Sequence, residues 1–172
     1  MIRIATVFSG IGAAEEALRQ LGVEHQIVFA CDNGERYLPQ PAEEISKLLE
    51  NFSKENREKV IGLLYDSTGK INHVKKSYFA NYDIDEDRWF EDIRFLDGKP
   101  YKGSVDIFVG GSPCQSFSTY GNKRGLEDTR GTLFYDYARL VQEIQPKAFI
   151  FENVTGLLTH DKGRTWQVIK DT

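Results

Sequence analysis

Apolar residues fall into short continuous runs, separated by glycine-rich turns and by stretches with helical spacing. Residues 2–8 form a β-rich run that ends in the turn Ser9-Gly10-Ile11-Gly12. Residues 13–21 are strong helix formers, and Gly22 is a natural stop. Residues 27–31 make a second apolar strand ending at Asp32-Asn33-Gly34, so the first third of the chain reads as a βαβ unit. Further strands are predicted at 105–109, ending in Gly110-Gly111, and at 148–151, ending in Glu152-Asn153. Between them 132–144 has a helical pattern with Pro146 just past its end, and a last helix begins near Gly163. Strands alternating with helices predict an α/β fold built on a parallel sheet.

Residues 37–82 break this rhythm. Pro39 and Pro41 open the segment, 43–64 is charged and helical in pattern, and Ile45, Leu48, Leu49 and Phe52 share one helical stripe. Asp66-Ser67-Thr68-Gly69 is a turn signal. The segment reads as a helical insertion between two core elements, a solvated decoration with one packed face. Neither an internal repeat nor a low-complexity tract is present.

Composition narrows the class. With 172 residues, 40% hydrophobic and 12% aromatic, the chain is a folded globular domain. No apolar run reaches about 18 residues, so no membrane span is expected, and the first residues do not resemble a secretory signal. Two cysteines far apart, Cys31 and Cys114, suit a reducing cytoplasm better than a disulfide framework. His25, His73 and His160 offer no zinc spacing with them, so no metal is expected. The net charge of -4 is low for a nucleic-acid binder, which needs clustered Lys and Arg.

Candidate chemistry lies at the C-terminal ends of the predicted strands, where open parallel sheets bind ligands. Gly10 and Gly12 allow a sharp turn and a close backbone approach, although Glu15 sits where a dinucleotide motif would carry a third small residue. Asp32 can accept both hydroxyls of a ribose. Together these favour a nucleoside-containing cofactor over a plain turn, without separating NAD from S-adenosylmethionine. Cys114 follows a strand in Gly110-Gly111-Ser112-Pro113-Cys114-Gln115, a small, polar setting that suits an exposed, positioned thiol rather than a buried apolar one. Glu152 ends the fourth strand and can donate or accept a proton if desolvated.

These blocks, with Glu91-Asp92-Ile93 and residues 127–134, occur in the order found in C5-cytosine DNA methyltransferases, which the chain resembles over nearly its whole length outside the insertion. The resemblance implies a Rossmann-like methyltransferase fold with a truncated parallel sheet and flanking helices. It implies S-adenosylmethionine as cofactor, bound by Phe8, Ser9, Gly10, Ile11, Gly12, Asp32, Asn33, Asp92, Ile93, Gly111 and Leu133. In it Phe8 packs on the adenine, Asp32 takes the ribose hydroxyls, and Asp92 accepts from the adenine amino group with Ile93 beside the ring. Cys114, after Pro113, attacks C6 of a cytosine flipped out of double-stranded DNA. Glu152 holds N3, and Asn153 braces the loop carrying Cys114. Gln115, Ser116, Ser118, Lys123, Arg124 and Arg130 contact DNA, with Gly121 and Gly125 as hinges of a closing loop.

The resemblance also implies further parts. The family continues beyond Thr172 with a Gln-x-Arg-x-Arg segment, a target-recognition domain and a helix that closes the cofactor pocket. Residues 1–172 are therefore expected to be a partial catalytic and cofactor-binding domain, from a bacterial restriction-modification enzyme that needs a missing region or second polypeptide. Its main basic DNA-reading surface would lie there, and its sheet would keep an unprotected edge. The alternatives are a catalytically silent cofactor-binding or interaction module, a cytosine methyltransferase acting on RNA, and, a poor fit, an NAD dehydrogenase.

Overall fold

The computed structural model describes residues 1–112 and 133–172. They fall into two compact units, Met1–Asp97 and Gly98–Thr172.

In the first unit, β1 (Ile2–Val7) runs through the turn at Ser9 to Gly12 into α1 (Ala13–Gln20), and the chain returns as β2 (His25–Cys31). The strands pair in parallel from Ile2 opposite His25 to Val7 opposite Cys31, with an irregularity between Ile4 and Ala5. A third strand, β3 (Trp89–Phe90), pairs in parallel with Ala30 and Cys31. Two residues are too few to show a period, so the sequence gives no sign of it. Because the three strands are parallel, their C-terminal ends lie at one edge. Phe8, Asp32 and Glu91 each begin a loop there.

The segment before β3 forms three helices: α2 (Ala42–Leu49), α3 (Lys54–Ser67) and α4 (His73–Asn81). The continuous helix expected over 43–64 is broken. Asn51, Phe52 and Ser53 leave the helix, and Ser53, in extended backbone, accepts a side-chain bond from Asn56 at 3.1 Å. A serine ahead of a charged helical run is a start signal, and it wins over helical spacing here. The break also divides the expected stripe. Ile45 and Leu49 are buried with Ile61 and Tyr65, whereas Leu48 and Phe52 are exposed. Tyr78 of α4 is fully buried against Ala30 and Trp89, so these helices contribute to the core of this unit.

In the second unit, β4 (Ile107–Gly110) and β5 (Ala148–Phe151) pair in parallel, Ile107 opposite Ala148 through Gly110 opposite Phe151. The connecting segment includes α5 (Leu133–Ile144), which buries Phe134, Tyr137, Leu140 and Ile144. Tyr137 stacks on Phe108 at 5.1 Å between ring centroids and lies 5.2 Å from Phe151. Its hydroxyl donates to the Ile150 carbonyl at 3.0 Å. Two short helices, α6 (Gly156–Thr159) and α7 (Arg164–Asp171), complete the unit. Phe149 and Ile150 of β5 remain 58% and 54% exposed. Among the described residues no helix is long and apolar enough to cross a membrane.

Candidate functional site

The turn after β1 is built from positive-φ residues. Phe8, Gly10 and Gly12 have φ of 53°, 55° and 84°. At Gly12 glycine is required on two counts, since a Cβ there would also lie 2.2 Å from the Tyr82 ring. Ser9 is tied to the end of β2, accepting from the Cys31 amide at 3.0 Å. Ile11 is exposed.

Asp32 links that turn to its own loop. One carboxylate oxygen accepts from the Gly10 amide at 2.9 Å and the other from the Gly34 amide at 2.8 Å. Burial raises its pKa, and those two amides work against the rise. A carboxylate offers about four lone-pair sites, so two remain after the amides. Those two acceptor sites fit the donating hydroxyls of a ribose diol. Asn33 bonds within the loop, its side chain donating to the Arg36 carbonyl at 2.9 Å.

Asp92, after β3, is 5% exposed. Arg94 grips it through Nε at 3.0 and 3.1 Å, Nη2 at 2.6 Å and its backbone amide at 3.0 Å, and the Tyr65 hydroxyl donates at 2.7 Å. Ile93 is buried. Glu91 pairs with the buried Arg36 and with Lys75, and accepts from Asn72 at 3.0 Å.

In the second unit the strand ends Gly110 and Phe151 are in register, so Gly111 and Glu152 begin their loops side by side. A Cβ on Gly111 would lie 2.6 Å from the Glu152 carbonyl oxygen and 2.9 Å from a carboxylate oxygen of Glu152. The Asn153 amide donates to the Ser112 carbonyl at 3.0 Å. Glu152 itself is exposed, not enclosed in an apolar pocket. Leu133, the first residue of α5, is half-buried. Pro113, Cys114, Gln115, Ser116, Ser118, Gly121, Lys123, Arg124, Gly125 and Arg130 lie outside the described residues. The other cysteine, Cys31, is fully buried, and burial pushes its thiol pKa well up, which suits a packing role.

Sequence reasoning missed four side chains that shape these loops. Glu15 is fully buried and accepts from Thr6 at 2.8 Å and Tyr78 at 2.6 Å, with its second oxygen left unpartnered. Tyr65, Asn72 and Tyr82 come from the segment read as an insertion. An acid in the first helical turn was a visible signal for Glu15. For the other three nothing local distinguishes them from packing residues.

The chain matches the C-5 cytosine-specific DNA methylase family over residues 2–172. The protein belongs to that family. Family members generally use S-adenosylmethionine. It is 38% identical over 170 residues to the orphan methyltransferase M.SPRI of Bacillus phage SPR, spanning 99% of this chain and 30% of the phage protein. It is 54% identical over 80 residues to the type II methyltransferase M.Eco47II of Escherichia coli, covering 46% of this chain and 19% of that protein. Among solved structures it resembles the S. pombe Dnmt2 methyltransferase, with a TM-score of 0.54 and 17% identity over 98% of this chain and 41% of that one. The fold is thus the Rossmann-like methyltransferase type. The chain spans under a third of the length of these two curated relatives.

Proposed function

We propose that this chain is the cofactor-binding and catalytic part of a DNA cytosine-5 methyltransferase, acting with further polypeptide that reads the target sequence. The observation that carries the reading is the pairing of the β4 and β5 ends. Glu152 lies against Gly111, and Asn153 holds Ser112, at the start of the segment that carries Cys114 two residues later. Glu152 and the segment that leads to Cys114 thus start from adjoining strand ends, and a carboxylate and a thiol are the two groups that addition to a pyrimidine ring requires.

In this reading Asp32 binds the ribose hydroxyls of S-adenosylmethionine, Asp92 faces its adenine, and the turn from Phe8 to Gly12 lies along the rest. When bound, that cofactor supplies the methyl group that C5 takes up. The Cys114 thiolate forms a bond to C6 of a cytosine turned out of the duplex, because the ring is unreachable in the stack. Glu152 protonates or hydrogen-bonds N3, which draws electrons through the ring and makes C5 nucleophilic. After C5 is alkylated, its proton is lost to base, the electron pair reforms the C5–C6 double bond, and the C6–sulfur bond breaks. Cys114 leaves as thiolate and N3 gives any proton it took back to Glu152, so the enzyme is regenerated with no redox change.

The test is transfer of labelled methyl from S-adenosylmethionine to unmethylated DNA. It is run with the chain alone and with the polypeptide regions that its relatives carry beyond the shared part. Cys114→Ala is expected to abolish transfer while S-adenosylhomocysteine still binds. Transfer that survives in Cys114→Ala overturns the nucleophile assignment. Transfer to RNA but not to DNA of the same sequence overturns the substrate. Cofactor binding without transfer under any condition would make the chain a silent binding module.

A further inference from the structure

Every loop assigned to the cofactor in the first unit is held by a side chain from residues 54–82. Tyr65, on α3, is completely buried and donates to Asp92 at 2.7 Å, while the Arg36 guanidinium lies 4.8 Å over its ring. Asn72, which caps α4 by accepting from the Lys75 amide at 2.8 Å, donates to the Asp32 carbonyl at 2.9 Å and to Glu91 at 3.0 Å. Tyr82, just past α4, donates to the Gly12 carbonyl at 2.7 Å and fills the space a Gly12 side chain would need. A decoration on the surface would have no reason to send three polar groups inward to three separate loops. Buried polar atoms cost stability unless satisfied, so each contact fixes both its partners in one geometry.

Asp92 shows why this bears on binding. Its two oxygens offer about four lone-pair sites, and Arg94 and Tyr65 already direct five contacts at them. An incoming amino group must replace one of these. The Arg94 side chain is 30% exposed and can swing outward, whereas the Tyr65 ring is locked in the core. Tyr65 is the contact that stays and keeps the carboxylate aimed when Arg94 gives way.

We propose that the helical segment 54–82 is a brace for the cofactor site, with Tyr65 positioning Asp92 for the adenine amino group, Asn72 holding the Asp32 loop and Tyr82 setting the glycine turn. The proposal rests on the reading that this chain binds S-adenosylmethionine. It assigns to α3, through Tyr65, discrimination of the base, and to Asn72 and Tyr82 at the two ends of α4 the positioning of the neighbouring loops.

The experiment is calorimetric binding of S-adenosylhomocysteine and of S-inosylhomocysteine, in which an oxo group replaces the adenine amino group. The unaltered chain is expected to prefer the adenine compound by about tenfold or more, the scale of one hydrogen bond to a charged group. Tyr65→Phe keeps the ring and should bind the adenine compound several-fold more weakly, with the preference largely lost. Tyr82→Phe should weaken both compounds equally and leave the preference intact, so a loss of preference confined to Tyr65→Phe cannot come from a general loosening of the fold. Equal preference in Tyr65→Phe and the unaltered chain overturns the brace while leaving cofactor binding standing. No binding of either compound by the unaltered chain overturns the functional reading itself. If Tyr65→Phe does not fold, the Tyr82→Phe result decides: unchanged affinity for both compounds overturns the brace.

Discussion

The two units present their strand ends in opposite ways. In the first, the loops after β1, β2 and β3 are tied to one another and to the helices beside them by hydroxyls, amides and carboxylates that are buried or partly buried. In the second, Glu152 is exposed at the end of a strand whose Phe149 and Ile150 are also open to solvent. A cofactor site gains from geometry fixed before its ligand arrives, since ordering costs then fall outside the binding step. A site that must admit a base drawn from a duplex needs an open approach. Under the proposed function, the contrast is the one expected if the first unit holds the methyl donor and the second meets the base.

The sharpest way to break this contrast is at its tightest point. Gly12→Ala forces a side chain into a backbone with φ 84° and against the Tyr82 ring. Strain of this kind costs about 1–3 kcal/mol, and displacing a packed ring adds a similar amount. Stability in urea is expected to drop by roughly 2–5 kcal/mol, and S-adenosylhomocysteine binding should be lost. A variant as stable as the original would mean that Tyr82 is loosely held and that the first unit is no more ordered than the second.

The sequence made the sheet and the acids legible because both rest on local signals. Short apolar runs ending in glycine turns or carboxylates located β1, β2, β4 and β5 to within about two residues, and Asp32 stands where a strand end puts it. The sequence did not reveal what holds those acids. Tyr65 reaches Asp92 across 27 residues and Tyr82 reaches Gly12 across 70. A tyrosine destined for a core and one destined for a carboxylate look alike in a helix, and only the tertiary pairing separates them. Charge density in 43–64 pointed to a solvated decoration. That density comes from the outward faces, while Ile45, Leu49, Ile61 and Tyr65 point inward.

Glu58 sharpens the comparison through pH. It sits on α3, and burial, with the nearby Asp92 and Asp97 carboxylates, pushes its pKa up to about 7. Lys54 pairs with Asp97 at 3.6 Å and Arg94 with Asp92 at 2.6 Å. The sign follows directly. Between the ordinary value of 4.5 and about 7 the folded chain binds more protons at this site than the unfolded chain, so stability falls as pH rises through that window. With allowance for solvent screening at a partly exposed group, the loss is about 1–2 kcal/mol. Glu58→Gln should flatten the stability profile between those pH values in urea titrations. A profile of unchanged slope would remove Glu58 from the acid cluster around Asp92.

The smallest effect is expected on β5, and it tests the other half of the contrast. Its sequence, Ala-Phe-Ile-Phe, is the continuous apolar run of a strand covered on both faces, as in parallel sheets flanked by helices. Phe134 and Tyr137 of α5 approach Phe151 at 5.4 and 5.2 Å, yet Phe149 and Ile150 stay more than half exposed. Ile150→Lys therefore removes little buried area and keeps the backbone carbonyl that accepts from Tyr137. The melting free energy should then change by less than about 0.5 kcal/mol, as for surface substitutions in general. A loss of about 2 kcal/mol or more would show that Ile150 is buried in solution. Sedimentation at two protein concentrations then separates burial within one chain from burial against a second copy. In either case β5 would be covered at Ile150, and the contrast with the first unit would no longer rest on an open strand.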